Sequence, residues 1–411
     1  MNRSRPRVAI TGMGVKTPAG NDLDSFWTAL LSGKSAAAPI TAFDASNHPV
    51  SFACEVRDFD PEPYLGPKES RRVDRVGQLG FAAASDALGH AGDLGADPAR
   101  CAVVAGTGVG GLTTLEEQIL LYGAKGPSRV SPFLIPMMMA NATAAIVAMH
   151  HGFTGPNICV TTACAAGAHA IGEGARLIRD GTVDVVIAGG TEAVVTPVAL
   201  AAFGRMGALS GRSDDPAAAS RPFDVERDGF VMGEGAGFLV LEEWDHAVGR
   251  GATIVAEVAG YGRNCDAHHI TAPAPGGAGA AACMQQALDD AGLAPADIGH
   301  INAHGTSTPL NDAAEAEAIS KIFGEHSLPV TSTKGCTGHL IGAAGAIEAV
   351  ASVLSMRAGL IPPTANHTKA DPTMTIDVVA GAARPLAAAP VVSNSFGFGG
   401  HNASLVLLPA G

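Results

Sequence analysis

Charge and aromatic rings are both scarce in this chain. Of 411 residues, 16% are charged and 5% aromatic, whereas 47% are hydrophobic. That balance excludes a long disordered polymer and points to a well-buried α/β protein. Basic residues are the rarer sign, 26 Lys and Arg against 39 Asp and Glu, for a net charge of −13. A surface so acidic excludes nonspecific nucleic-acid binding. The seven cysteines, Cys54, Cys101, Cys159, Cys164, Cys265, Cys283 and Cys336, form no CxxC pair and are odd in number. Neither a structural zinc site nor a disulfide framework fits them, and a reducing cytoplasmic setting does. The pairs His150-His151 and His268-His269 add no ligand set, because adjacent side chains diverge.

Long apolar runs are missing as well. After Arg3, Arg5 and Arg7 the apolar stretch is broken by Thr11, Gly12 and Lys16, before a signal-peptide core could form. The stretch from Val185 to Phe203 contains Glu192 and Pro197, so it reads as strand, loop and helix, not a membrane span. No G-x-S-x-G elbow is present, which removes the commonest serine-hydrolase reading. The run Gly106-Thr107-Gly108-Val109-Gly110-Gly111 fits the dinucleotide fingerprint GxGxxG, but Lys125 and Arg129 occupy the region where an acidic residue is expected.

What is present is length and a set of reactive side chains in glycine-bearing loops. At 411 residues two core units are expected. Arg7-Val8-Ala9-Ile10-Thr11-Gly12 opens one, residues 1–252, and Thr253-Ile254-Val255-Ala256 opens the other, residues 253–411. The segment Thr161-Thr162-Ala163-Cys164-Ala165-Ala166-Gly167 sets a cysteine between the strand-like Asn157-Ile158-Cys159-Val160 and a run of small helix formers. Cys164 thus falls near the first turn of a predicted helix, where partial positive charge favours thiolate and free N–H groups can receive an oxyanion. A small buried packing residue is the other reading of a lone cysteine. Two distant segments favour the nucleophile. Asn302-Ala303-His304-Gly305-Thr306-Ser307-Thr308 and Lys334-Gly335-Cys336-Thr337-Gly338-His339 each carry a histidine in a glycine-bearing loop after a strand-like run.

Together with Asn394-Ser395-Phe396-Gly397-Phe398-Gly399-Gly400, these segments resemble the elongating, Cys-His-His type of β-ketoacyl-acyl carrier protein synthases, and most of all the synthase II group of fatty-acid synthesis. The resemblance spans essentially the whole chain. It implies a thiolase-like fold of two similar halves in five layers, αβαβα, with Cys164 from the first half and both histidines from the second. It implies a decarboxylative condensation of an acyl-enzyme with malonyl-acyl carrier protein, with no required cofactor. The same residues fit a ketosynthase of a secondary-metabolite pathway. A noncatalytic chain-length partner usually lacks the nucleophile. A degradative thiolase needs a second cysteine in the C-terminal glycine-rich loop, and residues 395–400 have none.

By the same resemblance, Cys164 is the nucleophile, His304 and His339 stabilise the malonyl enolate, and Lys334 orients His339 with Glu348 in support. Backbone N–H groups of Cys164 and Phe398 form the oxyanion hole. Thr271, Thr306 and Thr308 meet pantetheine. Val109, Phe133, Met138 and Phe203 surround the acyl chain, and Phe396 and Phe398 gate it. Lys68, Arg71, Arg72, Arg129 and Arg205 face an acidic acyl carrier protein, although Gly207 stands where the synthase II pattern has arginine. Asn302, Glu348, Ser393 and Asn394 match positions around a monovalent cation, sodium or potassium, in some relatives. A homodimer is expected. His401 departs from the threonine common after the paired glycines.

Overall fold

The computed structural model describes residues 5–410. Eleven strands form one mixed sheet: β1 (Val8–Lys16), β2 (Cys101–Gly106), β3 (Asn157–Val160), β4 (Val185–Glu192), β5 (Gly235–Glu243), β6 (Ala256–Cys265), β7 (His300–Asn302), β8 (Pro329–Thr331), β9 (Asp377–Val378), β10 (Val391–Gly397) and β11 (His401–Pro409). Their order is β9-β8-β7-β10-β11-β6-β1-β5-β4-β2-β3. The helices that matter for the site are α1 (Arg75–Ala91), α2 (Leu112–Lys125), α3 (Ala166–Arg179), α4 (Ala278–Ala291), α5 (Pro309–Phe323) and α6 (Ala344–Ala358).

The sheet contains the same arrangement twice. In the N-terminal part β3, β2 and β4 run parallel, followed by antiparallel β5 and β1. In the C-terminal part β8, β7 and β10 run parallel, followed by antiparallel β11 and β6. The two sets join where Ala9 and Ile10 of β1 pair with Glu257 and Ala256 of β6.

Side-chain size repeats with the topology. A Cβ on Gly12 would lie 2.2 Å from the Ala87 carbonyl oxygen of α1, and one on Gly260 would lie 2.2 Å from that of Ala287 in α4. Gly14 and Gly262 repeat the contact one turn earlier, against Ala83 at 2.1 Å and Cys283 at 2.0 Å. Each outer helix therefore lies flush on its sheet because the strand beneath it has glycine at alternate positions.

Between the sheet halves, α3 and α6 are buried nearly all round and are built from small residues, as a central layer requires. They touch backbone to backbone: a Cβ on Gly167 would come within 2.9 Å of Ala346 N, and one on Gly345 within 2.8 Å of Ala168 N. The fold is thiolase-like, as expected, with α1 and α4 outside and α3 and α6 at the centre. Residues 341–358 are apolar enough to suggest a membrane span by length, but 78% of that window is buried as core.

Because Gly12 and Gly260 meet equivalent helix backbones, Gly12→Ala and Gly260→Ala should each destabilise the protein by ~1–3 kcal/mol, the usual cost of overpacking. Chemical denaturation of the two variants measures this, and their losses should agree within about 1 kcal/mol. A neutral result for either would mean the outer helix shifts without penalty.

Candidate active site

Three side chains meet at the junction of the two sets of strands. Cys164 lies in the turn from β3 to α3, His304 two residues beyond β7, and His339 between β8 and α6. The reactive atoms of Cys164, His304 and His339 lie within 4.8 Å of one another. His339 Nε2 is 3.0 Å from Cys164 Sγ. The two imidazoles meet edge to face with centroids 5.3 Å apart. In the repeated topology β3 corresponds to β8, so the cysteine turn and the His339 turn are counterparts. Both contain a non-glycine residue in the left-handed region, Ala163 at φ 50° and Ile341 at φ 45°. Such strain persists only where surrounding contacts hold it.

Backbone contacts fix both histidines. His339 donates its N–H to the Val231 carbonyl at 2.8 Å, and its carbonyl accepts from Gly233 at 2.9 Å. Gly338, at φ 70°, has no room for a Cβ, which would lie 2.7 Å from Cys54 Sγ. His304 and Gly305 donate their N–H groups to the two Glu315 oxygens at 2.8 and 2.7 Å. The His304 carbonyl accepts from Lys334 Nζ at 2.6 Å, and the same ammonium pairs with Glu348 Oε1. Lys334 therefore holds the backbone of His304, whereas the resemblance implied that it orients His339. The helical turn Lys334–Thr337 accounts for the difference: it turns the lysine toward the β7 loop.

Burial sets the electrostatics. It pushes both histidines well below their ordinary range, and Lys334 reinforces the shift, so both rings are neutral. Glu348 and Glu315 are each pushed up to about 7 by the same desolvation. The Cys164 thiol is pushed up to about 12 by burial, against the opposing pull of the Lys334 charge and of backbone N–H groups from Phe398 and Cys164 itself. A stabilised thiolate was expected from the helix start alone. With the residue only 7% exposed, desolvation outweighs that field, and the resting group is a thiol beside a neutral imidazole.

The sequence profile of the β-ketoacyl synthase N-terminal domain matches residues 5–247, and that of the C-terminal domain matches residues 255–368. The chain belongs to the β-ketoacyl synthase family. It is 48% identical over 410 residues to the 3-oxoacyl-[acyl-carrier-protein] synthase 2 of Synechocystis sp., covering 98% of each chain. Identity to the protein of the same name from Coxiella burnetii is 47% over 405 residues, again covering 98% of each. Among solved structures, the ishigamide ketosynthase/chain length factor superposes with a TM-score of 0.93 at 38% identity, over 99% of this chain and 100% of that one. A β-ketoacyl synthase from Burkholderia phymatum superposes with a TM-score of 0.91 at 36% identity, over 99% and 100%.

A cavity of about 460 Å³ opens onto Cys164, His304 and His339. Its walls include Thr271, Thr306 and Thr308, with the last two hydroxyls 2.9 Å apart, and Phe396 and Phe398 beside Gly397. Phe396 packs edge-on against His304 at 6.0 Å. Val109 and Phe203 line the cavity, but Phe133 and Met138 do not. Instead Phe133 is 37% exposed beneath the Arg72 guanidinium, on the side of the molecule that carries Ile119, Tyr122, Ile135 and Met139 uncovered. Lys68, Arg71, Arg72, Arg129 and Arg205 are all exposed, and Arg205 ends the helix whose next two residues reach the cavity rim.

Among the four residues matched to a cation site, all are buried, and Asn302 Oδ1, Glu348 Oε2 and Ser393 Oγ have no hydrogen-bond partner. Those oxygens have the chemistry of a monovalent cation site. The Asn394 amide is otherwise engaged, by Ser404 at 2.8 Å, and by Met284 and Glu315. Sequence reasoning missed Glu315 and also Phe230, whose ring lies 5.3 Å from His339. Glu315 sits inside α5, away from any glycine-bearing loop that would have marked it, whereas Phe230 stands between Gly229 and Gly233 in a glycine-rich segment with no cysteine or histidine to mark it.

A buried thiol held high should react slowly with a neutral electrophile and faster as pH rises. Iodoacetamide labelling of Cys164, followed by peptide mapping to separate it from exposed Cys265, should accelerate about tenfold per pH unit with no plateau below about pH 9. A plateau near neutrality would mean a preformed thiolate.

Proposed function

We propose that this β-ketoacyl synthase elongates acyl chains in fatty-acid synthesis, by condensing a Cys164-bound acyl group with malonyl-acyl carrier protein. The observation that carries the reading is the buried cluster in which Cys164 Sγ lies 3.0 Å from His339 Nε2, with His304 beside it at the end of one cavity. Full-length identity of 47–48% to two proteins named 3-oxoacyl-[acyl-carrier-protein] synthase 2 supports the same reading.

In the first step Cys164 sulfur attacks the carbonyl of an acyl thioester, and the carrier thiol leaves with the proton. Neutral His339 is placed to accept the cysteine proton at its Nε2. Backbone N–H groups of Cys164 and Phe398 are near enough to the sulfur to oppose the rise of its pKa, and in this mechanism they receive the oxyanion that forms beside it. A malonyl thioester then loses CO₂, and the electron pair of the broken C–C bond becomes an enolate. Neutral imidazoles donate hydrogen bonds to that oxygen without adding a charge to be neutralised. The enolate carbon attacks the acyl-enzyme, a C–C bond forms, the C–S bond breaks to leave the Cys164 thiolate, and that thiolate takes up one proton from solvent. Lys334, by holding the His304 carbonyl, keeps that ring in place. Thr306 and Thr308 offer hydroxyls to the pantetheine amides. If a sodium or potassium ion is bound, Asn302, Glu348 and Ser393 would hold it, and its charge would brace the loops carrying Lys334 and His304.

The exposed basic residues support docking of an acidic carrier protein despite the overall charge of −13. The uncovered apolar side near Phe133 and the half-exposed edge strand β3 support a second copy of this chain as the neighbour, closing the acyl pocket beyond Val109. A ketosynthase dedicated to secondary metabolism is the competing reading, favoured by the likeness to the ketosynthase of a type II PKS complex, at a TM-score of 0.91 and 32% identity.

Intact-mass analysis after incubation with a panel of acyl carriers tests the reading and separates the two pathways by the chains accepted. Wild type should gain the acyl mass. Cys164→Gln should gain none, yet still release CO₂ from malonyl carrier, because decarboxylation relies on the histidines. Loss of both activities in a folded variant would refute this division of roles. For docking, Arg71→Glu with Arg72→Glu should raise KM for the carrier protein about tenfold and leave a small pantetheine thioester little affected. Added salt should weaken the carrier reaction alone, since exposed charges are screened beyond ~10 Å at 0.1 M. Equal losses with both substrates would place the damage in the active site.

A further inference from the structure

The glycine run that matches a dinucleotide fingerprint does hold an acidic group, and that group belongs to the chain: the Glu192 carboxyl, which burial pushes up to about 7. Glu192, the last residue of β4, is wholly buried. Its Oε1 accepts the Thr107 hydroxyl at 3.0 Å, and its Oε2 accepts the N–H of Gly108 at 2.6 Å and of Gly342 at 3.1 Å. Thr107 Oγ1 in turn accepts from Gly110 N at 3.2 Å. One side chain thus fastens the turn after β2 to the turn before α6, and those turns come from different halves of the molecule.

The turns touch directly beside the reactive cysteine. A Cβ on Gly342 would lie 2.3 Å from Gly108 N, and one on Gly108 would lie 2.8 Å from Ile341 Cγ2. Val109 and Ile341, one from each turn, line the cavity next to Cys164. Small shifts of either turn therefore change the space open to whatever is attached to the sulfur. We infer that Glu192 is a positioning residue that fixes the Val109 and Ile341 walls against each other and so sets which primer lengths Cys164 accepts. The inference rests on reading the cavity as the acyl pocket. Glu192 itself meets no substrate; it acts through the backbone of the two turns.

Glu192→Gln keeps the shape but replaces charge-assisted hydrogen bonds with neutral ones of roughly half the strength. A looser wall admits longer chains and grips short ones less. The ratio of Cys164 acylation rates for long over short primers, followed by intact mass, should rise about tenfold. Thr107→Val removes one donor from the same carboxylate and should raise the ratio about threefold; it carries the test if the glutamine variant does not fold. An unchanged ratio, or equal slowing of every primer, would overturn the inference and leave Glu192 a purely structural residue. The wild type serves as the separate control: no acyl adduct with any primer would refute the acyl-pocket reading itself, and this inference with it.

Discussion

The structure depends on how closely α3 and α6 approach. Their contact runs through Gly167, Ala168, Gly345 and Ala346, where an added methyl group would collide with backbone. Only because these helices touch do the turns that begin them, one carrying Cys164 and the other following His339, face each other across a few ångströms. The outer layers follow the same economy of volume. Glycines at alternate positions of β1 and β6 let α1 and α4 settle onto the sheet.

That close approach has an electrostatic consequence. The side chains at the junction are buried, and burial moves the two histidines down and the Glu348 carboxyl and Cys164 thiol up, each toward its neutral form. Two neutral imidazoles and a thiol form a site with little charge of its own at rest. In the proposed mechanism, charge that develops during the reaction would fall on the N–H groups of Cys164 and Phe398 and on the imidazoles. Lys334 and Glu348 stand one layer behind, bonded to each other and to the His304 carbonyl. Their field reaches the site while the reacting atoms stay free of a fixed counter-ion.

The sequence revealed the chemistry more readily than the geometry. Cys164, His304 and His339 sit in short loops with distinctive neighbours, and such loops are legible because backbone constraints limit what can surround a reactive group. The thiolase-like fold followed from the resemblance; the repeat within it left only faint marks, such as Gly12 and Gly14 in one strand and Gly260 and Gly262 in the other. What escaped was direction and depth. The resemblance implied that Lys334 orients His339, but the helical turn Lys334–Thr337 points the lysine at the His304 carbonyl. Phe133 and Met138 matched a pocket lining, yet in the single chain they lie outside the cavity, at the two ends of a short helical segment, Leu134–Met138 with Phe133 just before it, that packs against α2. The acidity of Cys164 could not be read from its place at a helix start, since burial is a property of the whole fold.

Duplication explains why one active site forms where topology would allow two. The turn after β3 and the turns after β8 are counterparts, but one holds a nucleophile and the other a lysine and an imidazole. The loop after β7 supplies His304, whereas its counterpart after β2 supplies Thr107 and the glycines that bind Glu192. Where one half offers its turn to the reacting atoms, the other uses the equivalent turn to brace the wall behind them. A carboxylate recurs at both: Glu315 receives the N–H groups of His304 and Gly305, and Glu192 receives those of Gly108 and Gly342. Buried carboxylates satisfying backbone donors are thus the common means by which both halves hold their loops rigid, and the difference in function lies in which side chains those loops present.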